Sequence, residues 1–252
     1  MTNTILTTNK LCKTFSTGGA QQHVLKNLDM EIYKGDFTVI MGSSGAGKST
    51  LLYALAGMDK PTLGKVNFDG KDISDYSNDK LAIFRRDHCG FVFQQMYLLD
   101  NMSILDNIMA AGLLVSKNRN VIAEKAKALL AKFNITSATW RKLPSQVSGG
   151  EAQRAAIARA LINTPQIVFA DEPTGALNSA NGTAVLDALT EVNKNGQSIV
   201  MVTHDIKSAR RGNRIIYLHD GGIQGEIDLG AYTSGDTERS AKLKNFLADM
   251  GW

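Results

Sequence analysis

Gly42-Ser43-Ser44-Gly45-Ala46-Gly47-Lys48-Ser49 decides the fold. The stretch fits G-x-x-x-x-G-K-[ST] without a gap, the pattern of a phosphate-binding loop. Each letter has a chemical reason. Glycines let the backbone turn tightly, so several N–H groups point into one concave nest, and that nest suits a polyphosphate. Lys48 can reach the outer phosphates, the Ser49 hydroxyl can ligate Mg2+, and Thr50 follows at the loop exit. Working outward, Phe37-Thr38-Val39-Ile40-Met41 reads as a buried strand entering the loop. Thr50-Leu51-Leu52-Tyr53-Ala54-Leu55-Ala56 reads as the helix leaving it, whose N-terminus adds partial positive charge beneath the phosphates. The loop predicts a nucleotide-phosphate site and leaves kinase, GTPase, helicase and transporter motor open.

The bulk numbers set bounds. A hydrophobic content of 43% and a charged content of 21% are those of a folded globular chain rather than a disordered one. At 252 residues there is room for one large domain or a core with a subdomain. The net charge of +4 is too weak to argue for nucleic acid, and the only paired arginines, Arg85-Arg86 and Arg210-Arg211, read as solvated faces. Cys12 and Cys89 lie far apart and suit free thiols in a reducing compartment; the sequence offers no support for a disulfide. The start Met1-Thr2-Asn3-Thr4 is polar, unlike a signal peptide. No window approaches about eighteen uninterrupted apolar residues, so work at a membrane would need spans from another chain.

Along the chain, Ile5, Thr7, Asn9 and Leu11 read as one strand face, followed by a Ser16-Thr17-Gly18-Gly19 turn. Leu28, Met30 and Ile32 alternate with Asp29, Glu31 and Tyr33. A short strand with turn residues on both sides is expected within Gly64 to Ile73 and another at Phe91-Val92-Phe93, and residues 95 to about 145 read as helical, with Ile122, Ala126, Leu129, Leu130 and Phe133 at helical spacing. A helix from Gly149 to about Ile162, a strand Gln166-Ile167-Val168-Phe169-Ala170, a helix through Val185 and Leu189, and a strand Ser198 to Val202 then alternate. Such alternation predicts a mostly parallel sheet with helices on both sides. Arg214 to Leu218 and Ile223 to Ile227 read as a hairpin. Leu243, Phe246, Leu247 and Met250 form one helical stripe in the tail, read as packing on its own domain.

Two further segments carry chemistry. In Ile167-Val168-Phe169-Ala170-Asp171 an apolar strand delivers an acid, the Walker-B pattern, and Asp171 is placed to hold the Mg2+ shell. Glu172 follows at once, a carboxylate suited to polarising water. Ser148-Gly149-Gly150-Glu151-Ala152-Gln153-Arg154 opens an amphipathic helix with small residues and makes a second anion site of the helix N-terminus kind. One chain has no need of two such sites for one γ-phosphate, so the second is read as serving a nucleotide on another subunit.

With these motifs in this order, the sequence resembles the ATP-binding-cassette (ABC) ATPases over essentially the whole chain. The resemblance implies an α/β P-loop NTPase core with a mostly parallel sheet, an antiparallel β subdomain and an inserted helical subdomain. It implies a core with the Walker A over 1–94, the helical subdomain over 95–147, the core resumed over 148–227 and a tail helix over 228–252. Phe15 stands where the family has an aromatic that stacks on adenine, Gln94 at the Q-loop, Ser148, Gly149 and Gly150 at the signature, Asn178 at the D-loop and His204 at the H-loop. The implied cofactors are ATP and Mg2+. ATP lies on Phe15, on Gly42 through Thr50 and on Ser148 to Gly150; Mg2+ lies on Ser49, Gln94 and Asp171. Glu172, His204, Lys48 and Gln94 are the implied catalytic groups.

Asp171-Glu172-Pro173-Thr174-Gly175-Ala176-Leu177 and Gly90-Phe91-Val92-Phe93-Gln94 look like the MacB-type branch, which includes lipoprotein-release, FtsE-like cell-division and BceA-like bacitracin or lantibiotic resistance ATPases. The resemblance implies a homodimer that closes on ATP and drives a separate FtsX-like integral-membrane permease from the cytoplasmic face of the cell membrane. Met96-Tyr97-Leu98-Leu99 stands where a permease coupling helix docks in the family. A nucleic-acid partner is not implied. The alternative is a non-transport ABC ATPase of the DNA-repair or structural type, but those carry a long coiled coil where only about fifty residues separate Gln94 from Ser148 without a sustained heptad. Two positions depart from the family wording. Glu151 replaces the usual glutamine and is expected to point away from phosphate, because a carboxylate ~4 Å away would be repelled by several kcal/mol. Asn178 replaces the D-loop aspartate, which loses the charge and keeps an acceptor.

Overall fold

The computed structural model describes residues 4–252, the Thr17 side chain aside. Met1-Thr2-Asn3 of the polar start lies outside them. In chain order the elements are β1 (Thr4–Thr17), β2 (Ala20–Tyr33), β3 (Phe37–Met41), α1 (Lys48–Leu55), β4 (Leu63–Phe68), β5 (Lys71–Asp72), α2 (Asn78–His88) and β6 (Cys89–Phe93). Then come α3 (Ile104–Gly112), α4 (Arg119–Lys132), α5 (Gly149–Leu161), β7 (Ile167–Asp171), α6 (Ser179–Lys194), β8 (Ser198–Val202), α7 (Ile206–Ala209), β9 (Arg214–His219), β10 (Gly222–Asp228) and α8 (Thr237–Asp249). The chain forms two compact units. One comprises the described residues up to Ala82 together with Gly196–Trp252, and the other Ile83–Asn195.

In the first unit β3 is buried at every position, as is β8. β3 pairs in parallel with both β8 and β9, Phe37 opposite Ile199 and Ile40 opposite Ile216. A strand flanked on both edges and buried on both faces is mostly apolar and shows no alternation; the exception, Thr38, donates its hydroxyl to Asp36 Oδ2 at 3.0 Å. β9 and β10 close an antiparallel hairpin through Asp220 and Gly221, both left-handed. The second sheet runs β2-β1-β4-β5. Its long β1–β2 ribbon turns at Gly18 and Gly19, which hold φ of 58° and 86°. Leu28, Met30 and Ile32 face inward as their alternation predicts.

The expected face of β1 is corrected. Ile5, Leu6, Thr8 and Leu11 are buried, while Asn9 is exposed. The β1–β2 register shifts between Thr4 and Leu6 and again between Thr8 and Leu11, and each bulge reverses the side-chain alternation. The tail helix packs on its own unit. Leu243 and Leu247 are buried, and Phe246 and Met250 lie against Gly225, where an added Cβ would stand 2.8 Å from Met250 Sδ. Buried Arg239 donates to the carbonyl oxygens of Arg210, Leu229, Gly230, Ala231 and Gly212, and so staples α8 to the loops beneath it.

In the second unit β6 and β7 pair in parallel, Phe91 opposite Phe169 and Phe93 opposite Asp171. The segment read as helical from 95 to 145 holds two helices, α3 and α4, with irregular chain before and after them. Buried Asn107 explains the first irregular stretch. Its Nδ2 donates to the carbonyls of Leu99, Met102 and Ser103, and its Oδ1 accepts from Leu99 N–H. These bonds satisfy a non-helical backbone until Ser103 caps α3 by accepting from Asp106 N–H. Past α4, Asn134 takes a left-handed φ of 57° and ends the helix. Sequence periodicity missed α2, whose buried residues Leu81 and Phe84 are too few to stand out among charges.

Truncating the tail helix tests its place in the core. Leu243→Ala should lower the free energy of unfolding by about 2 to 5 kcal/mol in urea titrations, the range for a fully buried leucine. An exposed tail would show almost no change.

Candidate nucleotide site

The first unit carries the phosphate loop. Gly42, with φ of 153°, has no room for a side chain, because an added Cβ would stand 2.1 Å from the carbonyl oxygen of Leu218. Gly45 and Gly47 are left-handed at φ 82° and 97°. Gly47 also lies against the neighbouring ribbon, where a Cβ would meet Leu25 Cδ2 and Val24 O at 3.0 Å. These three positions explain the glycine pattern of the loop. Gly47 is the N-cap of α1, so that helix has no side-chain cap, and its first turn holds no acid. Both features suit an anion at the helix N-terminus.

Lys48 is buried and its ammonium donates to the carbonyls of Gly42 at 2.9 Å and Ser43 at 2.8 Å. The cation thus curls back over its own loop. Ser43, Ser44 and Gly45 are exposed, Ala46 is buried, and Ser49 and Thr50 are half-buried.

Phe15 and His204 belong to the same unit. Phe15 is 42% exposed on β1, with Lys13 Nζ 5.0 Å from its ring centroid. His204 is exposed just past β8. Its neighbours hold it from both sides: Thr203 N–H donates to Ile40 O at 3.2 Å, and Asp205 caps α7 by accepting from Lys207 N–H, Ser208 N–H and the Ser208 hydroxyl. Burial pushes the Asp205 carboxyl up, but these donors outweigh it and leave it below its ordinary value.

The second unit carries the other motifs. β7 ends at buried Asp171, and Glu172 follows half-buried in a left-handed conformation, φ 44°. That backbone is unfavourable for a glutamate and marks a constrained turn. The turn closes by Gly175 N–H donating to Glu172 O at 3.0 Å. Exposed Gln94 lies over it: a Cβ on Gly175 would stand 2.9 Å from Gln94 Nε2. The structure therefore brings Gln94 beside the turn after Glu172, and Gly175 is the residue small enough to permit it.

Ser148 is the exposed N-cap of α5. Its hydroxyl accepts from Glu151 N–H at 3.2 Å, while Glu151 Oε2 accepts from Ser148 N–H at 3.0 Å and from the Ser148 hydroxyl at 2.9 Å. The expectation that Glu151 points away from the anion site is corrected: this reciprocal capping box turns its carboxylate back onto the Ser148 N–H and hydroxyl, because those donors satisfy it better than solvent does. The backbone and hydroxyl donors of Ser148 hold the Glu151 carboxyl below the ordinary glutamate value. Gly149 and Gly150 sit against the D-loop and α6. A Cβ on Gly149 would lie 3.2 Å from Leu177 Cδ2, and one on Gly150 2.5 Å from Asn181 Oδ1. Asn178 caps α6, accepting from Asn181 N–H at 3.0 Å, a task aspartate would perform with the same oxygen.

Some contributors were not singled out in the sequence. Arg159 donates to the carbonyls of Tyr97 and Met96, which presents Tyr97, 64% exposed, and Leu99, 54% exposed, to solvent. Asn181 shapes the site against Gly150, and Gly175 and Gln153, which stand inside the motif segments, do so through contacts to Gln94, Phe93 and Pro173 that the local pattern does not announce. Among the described residues no helix is long and apolar enough to cross a membrane.

Residues 25–175 match the ABC transporter family. The lipoprotein-releasing system ATP-binding protein LolD of Aquifex aeolicus is 44% identical over 205 residues, 81% of this chain and 91% of LolD. The macrolide export ATP-binding/permease protein MacB of Escherichia coli is 43% identical over 211 residues, 84% of this chain and 32% of MacB. The chain thus spans about a third of the MacB proteins it matches. Among solved structures, the ATP-binding cassette MJ0796, dimeric and bound to ADP and Pi, superposes with a TM-score of 0.80 at 38% identity, covering 90% of this chain and all of that one.

The capping box makes a prediction with a definite sign. Glu151→Ala should lower stability by about 0.5 to 2 kcal/mol at about pH 7. Because the folded carboxyl titrates below its unfolded value, the glutamate's contribution is complete above the ordinary carboxylate range and is lost as pH falls through the lowered value. The gap between variant and wild type should therefore shrink in unfolding titrations at about pH 3. A gap independent of pH would show that the carboxylate bonds do not hold the helix end.

Proposed function

The chain belongs to the ABC transporter ATPases of the MacB and LolD type, and from that premise we propose that two copies enclose two ATP molecules and drive an FtsX-like membrane permease. As a member of that family the protein is an ATPase and binds adenine nucleotides. The observation that carries the dimer is that one chain holds two helix starts: α1 behind Gly47, without a side-chain cap or a first-turn acid, and α5 behind exposed Ser148 and Gly149, where the Glu151 carboxylate now on the Ser148 N–H and hydroxyl would give way to phosphate. In this reading Lys48 and the loop amides of one copy hold a γ-phosphate from one side, and the partner's Ser148 and the partner's Gly150 hold it from the other. The dimeric state of MJ0796 supports this.

Each remaining residue takes a role that its setting suits. Phe15 offers an exposed ring face to the base. Glu172 orients water or takes its proton, and Gln94, resting on the adjacent turn, fixes the same water. His204 and Lys48 stabilise charge on the γ-phosphoryl group. Ser49, Asp171 and Gln94 would hold Mg2+, whose charge would offset that of the phosphate oxygens. Rate then comes from positioning and preorganised charge. Hydrolysis removes the group that both copies grip, and the dimer opens, so ATP biases closure only while its γ-phosphate remains.

The membrane end of the reading rests on Tyr97 and Leu99, which stand exposed beside Gln94 and suit a partner helix laid across them. That partner is an FtsX-like permease, which puts this chain peripherally at the cytoplasmic face of the membrane. Export of, or resistance to, antimicrobial peptides of the bacitracin or lantibiotic kind is the transport role proposed.

Glu172→Gln should bind ATP, turn it over at least ~100-fold more slowly, and sediment as a dimer in ATP. Turnover near the wild-type rate would remove Glu172 from the mechanism. A Lys48→Ala chain mixed with a Ser148→Arg chain should regain one working interface, read as ATPase activity above that of either variant alone. No gain on mixing would contradict composite sites.

A further inference from the structure

Gln153 lies on the second turn of α5 and is fully buried. Its side-chain nitrogen donates twice, to the carbonyl of Phe93 and to the carbonyl of Pro173, each at 2.8 Å. Phe93 is the residue before Gln94, and Pro173 is the residue after Glu172. One amide therefore grips the backbone next to both groups assigned to the attacking water. Both of its protons are used, and the two carbonyls fix which way the amide faces.

The other half of the same amide argues that these bonds are its purpose. Gln153 Oε1 is buried and has no hydrogen-bond partner. A buried acceptor without a partner is unfavourable, so what keeps an amide here is its donor side: methionine or leucine would remove the orphan oxygen but take the donor from the Phe93 and Pro173 carbonyls. The segments it ties also need an external hold. Glu172 sits in a left-handed conformation that is unfavourable for a glutamate. Gly175 N–H closes the turn from one side by bonding Glu172 O, and Gln153 closes it from the other through Pro173 O. Gln94 has left the ladder of β6 and rests on that same turn at Gly175.

We infer that Gln153 is a positioning residue for hydrolysis, whose single amide sets Gln94 and Glu172 relative to each other and ties both to the helix that Ser148 opens. The inference rests on the roles given above to Gln94 and Glu172. It adds that the helix reaching toward one nucleotide is bonded directly to the backbone that carries the water-handling groups for another. A shift of α5 on engaging phosphate would be felt at Phe93 and Pro173 through the Gln153 side chain alone.

The test compares Gln153→Met with wild type and with Glu172→Gln. Methionine keeps the length and bulk of glutamine and removes both donors. The expected result is kcat lowered about 10- to 100-fold, the scale of a misplaced catalytic group. KM for ATP should change by no more than about twofold, because the phosphate loop is untouched. The variant should also accumulate as a dimer in MgATP by sedimentation velocity, since slow hydrolysis leaves the shared phosphate in place. A merely structural residue would lower the amount of folded protein and leave the dimer fraction where wild type has it. Turnover near wild type, or slow turnover without dimer accumulation while Glu172→Gln does dimerise, overturns the inference alone. If Glu172→Gln itself stays monomeric in ATP, the composite-site reading has failed, and a Gln153→Met loss confined to kcat still supports the positioning role, whereas a loss in KM sinks it. Gln153→Leu is measured in parallel; failure of both variants to fold would assign the amide to the fold and overturn the inference.

Discussion

A carbonyl oxygen of Leu218 stands 2.1 Å from where a side chain on Gly42 would begin. That contact fixes how β3 hands the chain to the phosphate loop, and the chemistry depends on the handover. With no side chain at Gly42, the backbone passes tightly beside β9. With Gly47 left-handed against Val24 and Leu25, α1 begins without a side-chain cap. Lys48 then folds its ammonium onto the carbonyls of Gly42 and Ser43. The result is a loop of backbone dipoles with one buried cation folded onto it, an arrangement that suits the polyphosphate proposed to bind there.

The second unit solves a different problem, how to bring together the groups proposed for catalysis from segments remote in sequence. Its answer is backbone bonding through small or amide residues. Gly175 admits Gln94, Gly150 admits Asn181, and Gln153 holds Phe93 and Pro173. The two departures from the usual family wording fit within this scheme. Glu151 spends its charge on the N–H and hydroxyl of Ser148, and Asn178 supplies the α6 cap that aspartate would supply. Neither change leaves a helix end unsatisfied, so the scaffold of the signature and D-loop tolerates both.

What could be read from the sequence follows from how local each constraint is. The phosphate loop, the apolar run into Asp171 and the β9–β10 hairpin were legible, because the residue type at each position is dictated by its own backbone or by burial on both faces. The inward face of β1 was not, since bulges in the β1–β2 pairing reverse it and nothing in β1 alone reports its partner's register. The irregular chain before α3 was equally hidden, because buried Asn107 satisfies backbone groups that periodicity assumes to be helical. The motif residues announced themselves one by one, but their supports, Gln153, Gly175 and Arg159, act across long sequence separations and leave no periodic trace.

The central claim is that one nucleotide is enclosed by two copies of this chain. A crystal structure of the Glu172→Gln protein with ATP and Mg2+ tests it most directly. Its γ-phosphate should be bonded by Lys48 of one protomer and by Ser148 of the partner subunit, with two nucleotides per dimer. A γ-phosphate held by Lys48 and Ser148 of the same chain, or a monomer with Ser148 facing solvent beside fully bound ATP, would contradict it.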